Sequence, residues 1–276
     1  MQTNSFFVLR LCRRLAAAVA LAPALVCVAS PTTVVVTGSL QSELGCASDY
    51  DPVCAQSAFA YDVADDVWQA TFNLPAGNFS YFAALDGSYA VTYGTNGKTA
   101  SDPISLSLAA GHAVKFYYDD KTHWVTDNVT TPIVTLAGDL QSELGCAGDF
   151  QPGCLHSWLQ DIDGDGIYTL RAMLPDGNYS TIVTINESFD ERYGAGGMQN
   201  GGNIDFAVSG GRVEFCYDGR SHLLSFDAAC GDVGGPGGTV PEPPLTGLLA
   251  VAAAAGIFSM QSRRRRRAVQ IFSSAG

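Results

Sequence analysis

Three aspartates alternate in the stretch DIDGDGIY at 161-168. Asp161, Asp163 and Asp165 can bring their carboxylates to one hard cation, and Gly164 and Gly166 ease the turn this requires. A full calcium loop of the helix-loop-helix type carries a glutamate at its twelfth position, which here is Ala172. Calcium is therefore the one cofactor candidate, and an ordinary acidic turn is the other reading. Two adjacent acidic pairs, Asp65 with Asp66 and Asp190 with Glu191, invite a comparison with glycoside hydrolysis. That chemistry needs two carboxylates about 5–9.5 Å apart on either side of one bond, a separation that neighbours on one loop do not supply. His112, His123, His156 and His222 are scattered. No G-x-S-x-G elbow and no phosphate loop is present. The chain reads as non-catalytic.

A second set of residues suits a neutral polar ligand. Sugar binding needs an exposed aromatic face with polar groups beside it to fix hydroxyls. Tyr93 and Tyr193 each precede a glycine in a long loop, and Tyr89 and Phe189 lie four residues earlier. Asn186, Glu187, Asp190 and Asn203 stand ready as hydrogen-bonding partners. The competing reading makes these rings packing at the end of the fold. Trp68 alternates with apolar residues and reads as core, whereas Trp124 and Trp158 fit either role.

The elements that must hold these residues come from a duplication. LQSELGC appears at 40-46 and again at 140-146. The match continues through GCASDYDPVC and GCAGDFQPGC, LPAGNFS and LPDGNYS, and TYGTNG and RYGAGG. A period near 100 residues is a copied domain, not a solenoid repeat. Within the first copy, TVVVTG, FAYD, VWQATFNL, FSYFAAL, PISLSL, AVKFYYD and HWVTD are short apolar stretches divided by Gly, Pro, Asn and Asp. In WQATFNL, Trp68, Ala70, Phe72 and Leu74 share one face. LPAG and LPDG read as hairpin turns. The expectation is all-β: two tandem immunoglobulin-like β-sandwiches, at 31-128 and 132-230, joined end to end by a short linker.

These repeats resemble the β-sandwich accessory modules of bacterial pullulanases and amylopullulanases, enzymes that debranch starch. The resemblance rests on GSLQSELGC with the second cysteine, the LPAG turn, NESFDERYGAGG at 186-197 with Asn203 after it, and FYYDDKTHWVTD at 116-127. The family's long loop usually carries Trp before an Asp-Glu pair; here Phe189 and Tyr89 hold that place, and the first copy lacks the acidic pair. The resemblance implies weak α-glucan binding through Asn186, Phe189, Asp190, Tyr193 and Asn203, with Tyr89 and Tyr93 as the weaker first-copy set. A structural or protein-interaction module of the cell envelope is the alternative.

Six cysteines lie outside the N-terminal leader. Equal spacing in the two copies pairs Cys46 with Cys54 and Cys146 with Cys154, leaving Cys216 for Cys230. No close-spaced ligand set supports zinc instead. Residues 1-30 read as a secretory signal, with Arg10, Arg13 and Arg14 ahead of an apolar run. A Gly/Pro-rich linker at 231-244 leads to an apolar helix with an arginine cluster, 245-267. VPEP, apolar helix and Arg263 to Arg267 together resemble a PEP-CTERM sorting signal, which implies an exosortase-type partner, transient insertion in the inner membrane, and a final place at the cell surface or outside it. Residues 31-240 hold 7 Lys and Arg against 26 Asp and Glu, a balance of −19. Such a surface repels nucleic acid.

Overall fold

A computed structural model describes residues 31–99 and 102–227. The segments read as signal peptide, Gly/Pro-rich linker and sorting helix, together with Cys230, lie outside the described residues. Among those described, no helix is long and apolar enough to cross a membrane.

The first module contains β1 (Val34–Gly38), β2 (Ala60–Asp62), β3 (Val67–Leu74), β4 (Gly77–Leu85), β5 (Thr92–Tyr93), β6 (Ile104–Leu108), β7 (His112–Tyr118) and β8 (Val125–Asp127). The second repeats the order as β9 (Val134–Gly138), β10 (Trp158–Leu159), β11 (Ile167–Met173), β12 (Gly177–Ile185), β13 (Ser188–Tyr193), β14 (Ile204–Val208), β15 (Arg212–Asp218) and β16 (Leu224–Phe226). In the first module, β4 takes β1 along one edge and β6 then β5 along the other, while β2-β3-β7-β8 form the facing sheet. In the second, β12 holds β9, β13 and β14, and β11-β15-β16 face them. The strand pairings are antiparallel throughout.

LPAG and LPDG are not hairpin turns. Pro75 and Ala76 link β3 to β4, and these strands belong to opposite sheets. Both strands carry an apolar face, and both faces bury best by meeting across the core instead of lying side by side. The core of the first module gathers Val34, Val36, Tyr81, Leu106, Val114, Phe116 and Tyr118, with Trp68, Ala70 and Phe72 packed against them. Tyr81 meets Phe116 edge-to-face at 5.0 Å. Each such ring removed from water contributes roughly 1.5–3 kcal/mol.

The repeated LQSELGC forms a corner, not a reactive site. Gln41 is fully buried. Its Oε1 accepts the Asp51 N–H at 2.7 Å and the Thr37 hydroxyl at 3.1 Å, and its Nε2 donates to Asp51 O at 2.8 Å and Ser57 Oγ at 2.7 Å. Gln141 does the same with Gln151 N and O and Ser157 Oγ. The amide thus ties the loop after β1 to the strand it leaves. Disulfides Cys46–Cys54 and Cys146–Cys154 close the same loops, with Cα atoms 5.9 and 6.0 Å apart. Cys216 is also disulfide-bonded. Gly38 and Gly138 are needed where β1 and β9 leave their sheets, since an added Cβ would lie 2.1 Å from Ser80 O or 2.5 Å from Ser180 O.

The modules do not sit end to end. On β7, Val114, Phe116 and Tyr118 face inward, so Lys115 and Tyr117 face out, toward the second module. Tyr117, Val67 and Trp124 pack there with Ile133, Leu155 and Trp158 in a separate apolar cluster. Around it, Lys115 pairs with Glu187 at 2.7 Å, Tyr117 Oη donates to Glu187, the Leu155 N–H donates to Asp65, and Gln160 Nε2 donates to Asp119 at 2.7 Å. The linker is also fixed. Buried Asp127 accepts from the Tyr81 hydroxyl at 2.6 Å and from the Val129 and Thr130 N–H groups. A short linker permits end-to-end stacking, but the outward Val67 and Tyr117 are better satisfied by lateral contact.

Gln41→Ala is expected to lower the unfolding free energy by about 2–4 kcal/mol in a urea titration, because the Asp51 N–H and C=O lose their buried partner. A loss below about 0.5 kcal/mol would show that the corner does not depend on this amide.

Candidate functional site

Tyr193 lies at the end of β13 and Tyr93 at the end of β5. Neither offers an open face. Tyr193 is 8% exposed and stacks flat on His222, with ring centroids 3.8 Å apart and planes 4° from parallel. Tyr93 is half-buried and stacks on His123 at 4.2 Å and 6°. The hydroxyl of Tyr217 meets His222 Nδ1 at 2.7 Å, and that of Tyr118 meets His123 Nδ1 at 3.1 Å. Burial pushes both tyrosine hydroxyls above their ordinary range. Two of the four seemingly scattered histidines are therefore one structural feature made twice. The signal was present in the sequence: each follows its tyrosine by five residues, in YDDKTH and YDGRSH.

The polar residues of the long loop are largely engaged in holding the fold. Asn186 has φ +54°, and its Oδ1 accepts the Ile133 N–H at 3.0 Å. Glu187 belongs to the contact with the first module. Glu191 accepts from the Tyr193 hydroxyl. Asp190 is exposed on β13, and Asn203, also exposed, donates from Nδ2 to Ser180 Oγ at 3.2 Å. The second acidic pair is likewise structural. Asp65 receives Leu155 of the other module, and Asp66 receives the Tyr61 hydroxyl and Lys121. The Tyr61 contact holds Asp66 below the usual carboxylate range and lifts Tyr61 to about 12.

The exposed rings cluster elsewhere than the Phe189–Tyr193 pair. Tyr50, in the first disulfide loop, is 46% exposed, and Tyr89 is 49% exposed. Phe82 of β4 lies between them, 6.4 Å from Tyr50 and 6.0 Å from Tyr89. Hydrogen bonds pin the group. Tyr50 Oη meets Ser80 Oγ at 2.9 Å, Tyr89 Oη donates to Tyr50 O, and Thr37 Oγ1 lies 3.4 Å from Tyr89 Oη. In the second module Phe150 and Phe189 hold the corresponding places and are exposed, and Arg192 lies 5.9 Å from the Phe189 ring centroid. The residue matching Phe82 is Ile182, which is buried. The first copy therefore carries the fuller aromatic surface. Tyr50 and Phe150 went unnoticed in the sequence, although both loops carry an aromatic at the same place, in DYDPVC and DFQPGC.

The three alternating aspartates do converge. Asp161, Asp163 and Asp165 present oxygens within 4.8 Å of one another. Asp161 accepts the N–H groups of Gly164, Asp165 and Gly166 at 2.9–3.1 Å. Burial raises its pKa, and the backbone donors oppose that shift. The donor set suits a hard cation, yet protein N–H groups already close the turn, so its shape requires no ion.

Tyr193→Ala is expected to destabilise the protein by about 3 kcal/mol, the cost of emptying a buried aromatic site, as read from chemical denaturation. If instead stability is unchanged, the Tyr193–His222 stack is not structural.

Residues 33–125 and 133–224 both match the family model of the pullulanase X25 domain. The amylopullulanase of Thermoanaerobacter thermohydrosulfuricus is 30% identical over 227 residues, covering 79% of this chain and 14% of that protein. The amylopullulanase of Thermoanaerobacterium thermosulfurigenes is 33% identical over 158 residues, covering 55% of this chain and 8% of its own length. The chain thus spans less than a sixth of these curated relatives. Among solved structures, a pullulanase from Bacillus acidopullulyticus aligns at 16% identity and TM-score 0.33, over 64% of this chain and 31% of that one. SusF from Bacteroides thetaiotaomicron aligns at 16% identity and TM-score 0.25, over 72% and 48%. With both of its modules matched by one model, the chain belongs to the pullulanase X25 domain family.

Proposed function

We propose that this is a non-catalytic α-glucan-binding protein of the cell exterior, its two modules lent to starch- or glycogen-like polysaccharide. The observation that carries the reading is the pinned aromatic surface Tyr50–Phe82–Tyr89. Rings held in place by hydrogen bonds offer a sugar's C–H face a surface that loses little freedom on binding. Hydroxyls of Ser80 and Tyr50 stand beside it for the sugar's own hydroxyls. The acidic balance of 31-240 is compatible with a neutral polymer. Family membership, and relatives named for action on pullulan, support the ligand class. Asp65, Asp66 and Glu191 are engaged in structural contacts, which supports a role without hydrolysis.

Export belongs to the same proposal. Disulfides in both modules favour an oxidising compartment. The leader-like N-terminus and the VPEP–helix–arginine order support secretion with exosortase-type sorting through the inner membrane to the surface.

The purified protein is expected to be retarded in a native gel containing amylopectin. Tyr50→Ala combined with Tyr89→Ala should weaken this at least about tenfold, on the scale of losing a central aromatic anchor. Both residues are about half exposed and lie outside the core, so the change leaves the core packing in place. Absence of retardation in the unmutated protein would falsify the reading.

A further inference from the structure

Four asparagines stand two residues before Ser or Thr with no proline between: Asn78, Asn128, Asn178 and Asn186. In an exported chain this spacing makes an asparagine amide an acceptor for N-linked sugar. The fold treats the four differently. Asn128 is half-buried after β8, and its Oδ1 accepts the Lys115 N–H at 2.9 Å. Asn186 is tied to the Ile133 N–H in the β12–β13 turn. Asn78 accepts the Ser107 hydroxyl at 2.8 Å. Asn178 is exposed, and its side chain has no hydrogen-bond partner among the described residues.

Geometry and charge also single out Asn178. Tyr179 turns into the core, so Asn178 and Ser180, on either side of it, share the outer face of β12. Both line an open depression of about 540 Å³ with Asp139, Asp205 and Phe206, which leaves room for a sugar residue beside the amide. Residues 175-178 are all exposed, so the approach from the β11–β12 corner is clear. Asp176 stands two residues before Asn178, whereas Ala76, Thr126 and Thr184 hold that place before the other three. Asp176 Oδ1 accepts the Gly210 N–H at 2.9 Å, and its Oδ2 remains as a charge that a basic enzyme pocket can grip.

We infer that Asn178 is a glycosylation site, taking one oligosaccharide from a polyprenyl-pyrophosphate donor at the membrane. In the transfer, Asn178 Nδ2 bonds to C1 of the first sugar. The bond from C1 to the pyrophosphate oxygen breaks, the lipid pyrophosphate leaves with that electron pair, and the amide gives one proton to a base of the transferase. The inference rests on the export half of the proposed function, not on glucan binding. It also separates the two copies. The outer face of β4 carries Ser80 and Phe82 of the aromatic surface, and the matching face of β12 carries Ser180 and Ile182. A glycan on Asn178 leaves the aromatic surface open, whereas one on Asn78 would stand beside Ser80.

The test expresses the chain in a bacterium that carries a periplasmic oligosaccharyltransferase and its polyprenyl-pyrophosphate-linked oligosaccharide. One version keeps residues 1-30, and the other has a general secretory leader in their place. Intact mass and peptide mapping are expected to show one oligosaccharide, on the peptide that holds Asn178. Asn178→Gln and Ser180→Ala should each remove it, Asp176→Ala should remove most of it, and Asn78→Gln should leave it in place. Ala76→Asp, which gives the first copy the same acid, should add a second oligosaccharide at Asn78. An unmodified chain under the general leader overturns the site, and so does a glycan that persists in Asn178→Gln. A glycan under the general leader alone supports the site and overturns only export by the chain's own leader.

Discussion

The buried amide of Gln41, and of Gln141 in the copy, is the constraint on which the remaining geometry depends. Each side chain replaces the hydrogen-bonding partners that a loop running back beneath its own strand would otherwise lack. The loop cannot turn into water for them, because the amide and Ser57 or Ser157 are fully buried. What the amide holds is used on two sides. The first disulfide loop carries Tyr50 outward onto the sheet. The second loop runs on into Leu155 and Trp158, which meet the other module. Seven identical residues in two copies thus serve positions rather than reactions.

The contact between modules follows from the same economy of the sheet. A strand has two faces, and on the face turned away from its own core the β3–β7 pair carries Val67 and Tyr117 at one end. The second module covers them. Polar groups at the rim of that contact find partners across it: Lys115 with Glu187, Gln160 with Asp119, and the Leu155 amide with Asp65. Among the described residues, the Trp158 indole N–H and Gln69 Oε1 are buried without a partner.

Much of the fold was legible in the sequence. The seven apolar stretches of the first copy are strands, and the alternation through Trp68, Ala70 and Phe72 gave the inward face correctly. Period-2 patterning states which face of a strand is buried, but not which sheet the strand joins, so the β3–β4 connection was misread as a hairpin. The same limit hid the module contact. Tyr117 and Val67 alternate with the inward residues of their strands, and nothing local marks such a residue as covered. The site suffered more. Tyr193 before a glycine in a long loop has the look of an exposed ring, and only His222, almost thirty residues on, makes it a buried one. The aromatic surface joins residues from three separate stretches, at 50, 82 and 89, which only the folded sheet brings together.

Asp127 closes β8 where the linker to the second module begins. With its carboxylate saturated by Tyr81, Val129 and Thr130, and with Glu187 clasped by Lys115, the connection has no slack. A slack tether lets two binding units search for whatever spacing a polymer offers and smooths out mismatch through linker entropy. A weld removes that freedom. For any polymer that both modules grip together, the gain from double attachment is all or nothing, granted only where the polymer's own pitch matches the gap between them. For such a polymer, the rigid join would act as a gauge.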